Sequence, residues 1–151
     1  DKKFTPALRA EIRSQNKTIF EIITMASLIE NEVIADEDRA LVSGILWKRI
    51  AIGMPLQVDA TIAYIKAIQD IPANVDGKIS REDTAINSPY NTYQYRGLPA
   101  GPISNPGLSA ITAAIYPKKS PFLYYLSAPD GRTIFSVTLE QHNAAKAKYL
   151  E

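Results

Sequence analysis

Prolines divide this chain into two parts. Six of its ten prolines lie between Pro89 and Pro121. Proline fixes its own φ angle and lacks a backbone N–H, so it interrupts helices and strands. We therefore expect irregular structure over residues 87–106. On either side of this stretch, regular elements are expected to form the framework of the fold.

Apolar residues before position 87 recur at helical spacing, and several predicted helices have recognisable starts. Thr5 is a predicted N-cap with Pro6 at the first helical position. Asp59 is a predicted cap, and Ser80 with Asp83 forms a predicted capping box for a brief helix. The predicted helices, including two later ones, span residues 5–15, 18–35, 36–53, 59–68, 107–115 and 139–150.

Two β-rich runs, FLYYLSA and TIFSVT, flank the turn residues Pro129, Asp130 and Gly131. This pattern predicts a β-hairpin. No internal repeat or linker divides the chain. The sequence therefore predicts an α+β class: a mainly helical single domain, residues 1–151, with a small antiparallel hairpin.

Composition excludes several functions. The chain has no cysteine, so thiol catalysis, disulfides and Cys-ligated metal sites are excluded. The net charge of +1 excludes no function by itself, but it gives no basic footprint for nucleic acid, and we expect none as a partner. No segment has the roughly 18 apolar residues of a membrane span. The chain opens with Asp-Lys-Lys and without Met, so we expect it to be a piece of a longer protein.

The segment TMASLIENEV carries two glutamates on a predicted helix. At about 100° per residue, Glu30 falls within the apolar stripe of that helix, whereas Glu32 falls on the opposite face. Glu32 is therefore predicted to be solvated. A carboxyl group among aliphatic side chains loses hydration, which raises its pKa and suits a general acid. The alternative is that Glu30 is structural, paired with an arginine or with backbone groups.

The proline-rich stretch SPYNTYQYRGLPAGPISNPG combines tyrosine rings with neutral amides and hydroxyls. Such a surface suits a sugar chain, whose C–H faces stack on rings and whose hydroxyls need partners. The alternative is a structural loop that packs its tyrosines on the core. No zinc motif, P-loop or nucleophile elbow is present, and the single histidine, His142, is predicted to be structural.

Four segments together resemble one known family. They are TMASLIENEV, RIAIGMPLQVDATIAY, SPYNTYQYRGLPAGPISNPG and EQHN. In this order they are similar to the motifs of the endolytic murein transglycosylases, the MltG or YceG-like family. Where that family often has a histidine two residues before the hairpin phenylalanine, this chain has Thr133.

The resemblance implies a peptidoglycan lytic transglycosylase, a lyase that cleaves MurNAc–GlcNAc β-1,4 bonds and leaves 1,6-anhydro-MurNAc ends. It implies a lysozyme-like arrangement of the active site, with Glu30 as the catalytic acid and then base, and neither metal nor cofactor. The remaining expected site residues contact the glycan. They are Gln57, Asp59, Tyr90, Asn91, Thr92, Tyr93 and Asn105.

The resemblance also implies peptidoglycan strands as substrate and peptidoglycan synthases as partners. We expect the full-length protein to lie on the extracytoplasmic side of the bacterial cytoplasmic membrane, held by an N-terminal anchor and a LysM-like region outside this chain. Two alternatives stay open. They are a hydrolase of the same glycan, in which Asp59 or another acid activates water, and a non-catalytic cell-wall binding module.

Overall fold

The computed structural model describes residues 3–150. Six α-helices, one 3₁₀ turn and one two-stranded sheet are formed in this part of the chain. In chain order they are α1 (Pro6–Ser14), α2 (Ile19–Glu32), α3 (Asp36–Ala51), α4 (Asp59–Ile68), the 3₁₀ turn (Asp83–Ala85), α5 (Leu108–Ile115), β1 (Tyr124–Ser127), β2 (Thr133–Ser136) and α6 (Leu139–Tyr149). The predicted α+β class is confirmed.

Local signals start most of these elements. Thr5 accepts a hydrogen bond from the Leu8 N–H, and Thr18 forms a reciprocal capping box with Glu21. Ser80 and Asp83 form the predicted capping box ahead of the 3₁₀ turn. The prediction for Asp59 is wrong in detail. Val58 precedes α4 without a side-chain cap, and Asp59 is the first residue of that helix.

Helix α2 lies at the centre of the domain and packs against α5, α3 and α4. Consecutive residues along its middle are buried whether apolar or polar, including Thr24 and Ser27. The helix is therefore covered on all sides there, and no side of its middle turns faces solvent.

The two strands form the predicted antiparallel hairpin, with Tyr125 opposite Phe135. Both of these rings pack against the main apolar core, so the hairpin is part of the domain core. Helix α6 packs on the two strands and has no fully buried residue. No helix among residues 3–150 is long and apolar enough to cross a membrane.

Candidate active site

The last turn of α2 carries Glu30, whose two carboxylate oxygens are both bound. Oε2 lies 2.8 Å from Arg39 Nη2, and Oε1 accepts the Gly107 N–H at 2.8 Å. Arg39 belongs to α3, and Gly107 directly precedes α5. The Glu30 carboxylate therefore ties three helices together, and 31% of its side chain is exposed.

Space beside Glu30 is tight, since a Cβ atom at position 107 would lie 3.2 Å from Oε1. The expectation that Glu30 is surrounded only by aliphatic groups is wrong. The paired arrangement that the sequence left open is the one the structure contains. The catalytic role of Glu30 stays a prediction.

Glu32 lies on the other side of the same turn. Its Oε1 accepts the Ala60 N–H at 3.4 Å, and its Oε2 accepts the Tyr125 hydroxyl at 3.3 Å. The Ser127 hydroxyl donates to the Glu32 carbonyl oxygen at 3.2 Å. The predicted solvated position of Glu32 is wrong because the start of α4 and strand β1 both cover this face of α2.

These surroundings raise the pKa of Glu32 to about 7, mainly because burial removes hydration from the carboxylate. The negative charge of Asp59 raises it further. The hydrogen bonds from Ala60 and Tyr125, and the charge of Arg49, oppose the rise. Arg49 does not form an ion pair with Glu32, since its guanidinium donates to the carbonyl oxygens of Leu123 and Leu56 at 2.9 Å and 2.7 Å.

Glu32 opens onto a cleft of about 1000 Å³. Helix α4 supplies part of the wall, and the loop that follows α4 supplies another part. The lining residues are Asn31, Glu32, Asp59, Ala60, Ala63, Tyr64, Gly77, Lys78, Ile79, Ile103, Pro129 and Leu150. A cleft of this size and openness can hold an extended ligand, with Glu32 as a partly protonated group in its wall.

Comparisons with known proteins agree with this architecture. The model of the YceG-like family matches residues 1–148. This chain belongs to the YceG-like family. The crystal structure of a yceG-like protein from Listeria monocytogenes superimposes with a TM-score of 0.83 at 39% identity, over 93% of this chain and 44% of that one.

Two curated relatives of this YceG-like chain are named endolytic murein transglycosylase. The protein from Bacillus subtilis (strain 168) is 35% identical over 97% of this chain and 39% of its own length. The protein from Streptococcus pneumoniae (strain D39) is 37% identical over 99% of this chain and 27% of its own length. The chain thus spans well under half of the curated relatives it matches.

Two of the expected glycan contacts in this YceG-like chain lie inside the protein. Asn91 and Thr92 are each 1% exposed. Asn91 donates to the carbonyl oxygens of Thr84 and Ile86, and Thr92 accepts the Val58 N–H. The Asn91 side chain ties the proline-rich loop to the 3₁₀ turn, and that of Thr92 ties it to the start of α4. Neither side chain lines the cleft, so the structure does not place them where a glycan would contact them.

Other expected contacts are nearer the surface. Asp59 lines the cleft and accepts a hydrogen bond from the Tyr93 hydroxyl. Tyr90 packs its ring 5.0 Å from that of the cleft residue Tyr64. Gln57 is exposed with φ +53°, and its N–H donates to the Thr92 carbonyl oxygen.

Asn105 is exposed but does not line the cleft. The structure therefore brings Asp59 to Glu32 and leaves Gln57, Tyr93 and Asn105 outside the cleft lining.

Sequence reasoning missed Tyr125. Adjacent tyrosines in β1 must face opposite sides of the hairpin, but the sequence does not say which of Tyr124 and Tyr125 faces α2. Tyr124 instead stacks on His142, with ring centroids 5.1 Å apart. Burial lowers the pKa of His142, and this stacked position agrees with its predicted structural role.

Thr133 pairs with Ser127 in the hairpin. Ser127 is the residue whose hydroxyl donates to the Glu32 carbonyl oxygen. Within residues 3–150, no group of three or more His, Asp or Glu side chains is arranged to hold a metal ion.

Proposed function

We propose that this chain is the catalytic part of an endolytic peptidoglycan lytic transglycosylase, a lyase acting on MurNAc–GlcNAc β-1,4 bonds. Membership of the YceG-like family and the names of the curated relatives support this proposal. The observation that carries it is Glu32. It is a carboxyl group at the wall of a large cleft, hydrogen-bonded by two neutral donors, with a pKa of about 7.

Glu32 is the proposed general acid and then base. With a pKa near 7, a substantial fraction of Glu32 is protonated at neutral pH, as a proton donor must be. The carboxylic acid gives its proton to the glycosidic oxygen, and the bond to C1 of MurNAc breaks. The carboxylate then accepts the proton of the C6 hydroxyl of the same sugar as that oxygen bonds to C1. Glu32 is thereby reprotonated, no water is consumed, and a 1,6-anhydro ring results.

An intramolecular nucleophile has a high effective concentration, so this route does not require a second carboxylate to position water. Glu30 fits the acid role less well, because a guanidinium binds one of its oxygens, whereas both partners of the Glu32 carboxyl group are neutral. Rotation of Glu30 into the cleft would leave Arg39 without its closest carboxylate.

A hydrolase of the same glycan is the second candidate, because Asp59 lines the cleft beside Glu32. In that reaction the Asp59 carboxylate would activate water, and the product would carry a reducing end. The Tyr93 hydroxyl bound to Asp59 would then help to fix the orientation of that base.

Product mass tests the proposal. Purified peptidoglycan sacculi are digested with the parent chain and with Glu32→Gln, and the released fragments are measured by mass spectrometry. We expect the parent to release fragments one water lighter than hydrolytic fragments, and Glu32→Gln to release almost none. Reducing-end products would favour the hydrolase, and glycan binding without products from the parent would favour a binding module.

The cellular setting follows from the same proposal. We propose that the full-length protein works on the extracytoplasmic side of a bacterial cytoplasmic membrane, with peptidoglycan synthases as partners. Fractionation of cells producing the tagged full-length protein, followed by protease accessibility in spheroplasts, tests the location.

A further inference from the structure

One wall of the cleft is formed by the loop after α4, where Gly77, Lys78 and Ile79 face the ligand space. Lys78 is the only basic residue among the cleft-lining residues within the described chain. Its side chain is exposed, and its ammonium forms neither a hydrogen bond nor an ion pair with residues 3–150. The two ionisable acids of the cleft, Glu32 and Asp59, come from α2 and α4.

The backbone of this loop is fixed by a side-chain cluster that the proposed chemistry does not use. Lys66 and Asp83 form an ion pair of 3.1 Å and are only 5% and 8% exposed. Asn74 donates to Asp83 Oδ2 at 2.8 Å, and the same amide group donates to the Lys78 carbonyl oxygen at 2.7 Å. On its other side, the Lys78 N–H donates to Asp76 Oδ1 at 3.0 Å.

A buried ion pair contributes little net stability, because desolvation of the two charges opposes their attraction. Such pairs can instead select one conformation. Here Asn74, itself held by Asp83 of the pair, binds the Lys78 carbonyl oxygen, and Asp76 binds the Lys78 N–H. The cluster therefore fixes the backbone from which the Lys78 side chain extends at the cleft wall, so the loop itself loses less conformational freedom when a ligand binds there.

The glycan backbone of peptidoglycan is neutral, so a cation in the cleft has no partner on the sugars themselves. The anionic groups of the strand are the carboxylates of its peptide stems, which hang from the lactyl groups of MurNAc. Resting on the function proposed above, we propose that Lys78 binds a stem-peptide carboxylate and makes the cleft selective for strands that carry stems.

Binding to matched strands tests this inference separately from turnover. Three kinds of glycan strand are titrated against the Glu32→Gln chain. They are strands with carboxylate stems, strands with carboxamide stems, and strands stripped of stems by an amidase whose freed lactyl carboxylates are then converted to carboxamides. The same titrations use chains that also carry Lys78→Met, Lys78→Arg or Lys119→Met. Lys119→Met is the matched control, since it removes an exposed lysine outside the cleft lining.

We expect Lys78→Met to weaken binding of carboxylate stems about two- to fivefold, as for an exposed ion pair. The effect should shrink at high salt. Binding of carboxamide and stripped strands should not change, Lys78→Arg should restore most of the affinity, and Lys119→Met should have no effect.

The inference would be overturned if Lys78→Met weakened binding of all three strands equally, or weakened binding of none. It would also be overturned if the Glu32→Gln chain with Lys78 intact bound all three strands with the same affinity. The proposed function fails on a different result, which is stem-selective binding by the parent without any anhydro product. The two failures are therefore distinguishable.

Discussion

Two glutamates of one helical turn have different surroundings, and the comparison separates a carboxylate paired with a cation from one that has only neutral hydrogen-bond donors. The Glu30 carboxylate is bound by the guanidinium of Arg39. The Glu32 carboxylate has only the neutral donors of Ala60 and Tyr125, although Arg49 lies near enough to affect its pKa. What distinguishes them is therefore the kind of partner, since both are partly covered.

The difference arises in the elements that pack on each side of α2. Towards α3 and α5, a cation and a free backbone N–H meet Glu30. Towards α4 and β1, the available arginine is already bound to the carbonyl oxygens of Leu123 and Leu56. Glu32 thus loses water without gaining an ion pair, which is the condition that favours a protonated acid.

The largest expected effect is on catalysis. Loss of the general acid in Glu32→Gln should lower kcat by about 10²- to 10⁴-fold. Glu30→Gln should lower it less than about tenfold once rates are normalised to folded protein, because its carboxylate acts on the framework. The rate of anhydro-product release from sacculi, by mass spectrometry, measures both. The reverse ranking would restore Glu30 as the acid, as the sequence predicts.

The second effect is on stability and depends on pH. Because the pKa of Glu32 is raised to about 7 in the folded state, the folded chain holds more protons than the unfolded chain between about pH 4.5 and 7. The contribution of Glu32 to the free energy of unfolding is therefore fully present below about pH 4.5, where the group is protonated in both states. It is lost as pH rises through the folded-state pKa of about 7. Glu32→Gln should be more stable than the parent at pH 8.5, by on the order of 2 kcal/mol after allowance for solvent screening.

Denaturant unfolding at pH 4.5 and pH 8.5 measures this difference, which should be near zero at the lower pH. The exposed Glu82→Gln serves as control and should show no comparable gain. A Glu32→Gln chain that is less stable than the parent at pH 8.5 would mean that Glu32 is a structural acid like Glu30.

The third effect concerns the ion pair of Glu30. Glu30→Gln should lower the free energy of unfolding by about 1 to 2 kcal/mol, less than for a fully buried pair, because Arg39 keeps its bonds to Val33 and Asp36. The double variant Glu30→Gln, Arg39→Met should lose less free energy of unfolding than the sum of the losses in the two single variants. Additive losses by chemical denaturation would show that the pair contributes no coupling.

The contrast between the glutamates also shows what sequence can predict. Thr5 and the Ser80–Asp83 box are signals in which a side chain bonds a backbone group three residues away, and these predictions hold. The environment of Glu32 depends on Ala60 and Tyr125, which are 28 and 93 residues away along the chain. No local pattern contains that information.

The helical wheel was misleading for a related reason. A wheel assumes that one face of a helix is buried and the other is solvated. Helix α2 is central, so the face opposite its aliphatic stripe meets α4 and β1 instead of water. The family resemblance predicts a catalytic glutamate at this end of α2 and assigns it to Glu30, and that assignment stays a prediction.

The smallest expected effects are opposite shifts in the pH profile of kcat. The Tyr125 hydroxyl lowers the pKa of Glu32, so Tyr125→Phe, which keeps the ring in the core, should raise that pKa and move the basic limb to higher pH. The negative charge of Asp59 raises the pKa of Glu32, so Asp59→Asn should move the basic limb to lower pH. Each shift should be below about one unit, the worth of one hydrogen bond or one partly screened charge.

Rates of anhydro-product release from pH 5 to pH 9 measure the position of the basic limb in the parent and in both variants. The opposite directions of the two pH shifts matter more than their sizes. A general loss of stability would lower the rates of both variants without moving their basic limbs in opposite directions. If both variants moved the limb in one direction, the titrating group would not be a carboxyl held between a phenol and an aspartate. If Glu30→Gln moved the limb while these two variants did not, the acid would lie on the other side of α2, and the distinction between the two glutamates would be reversed.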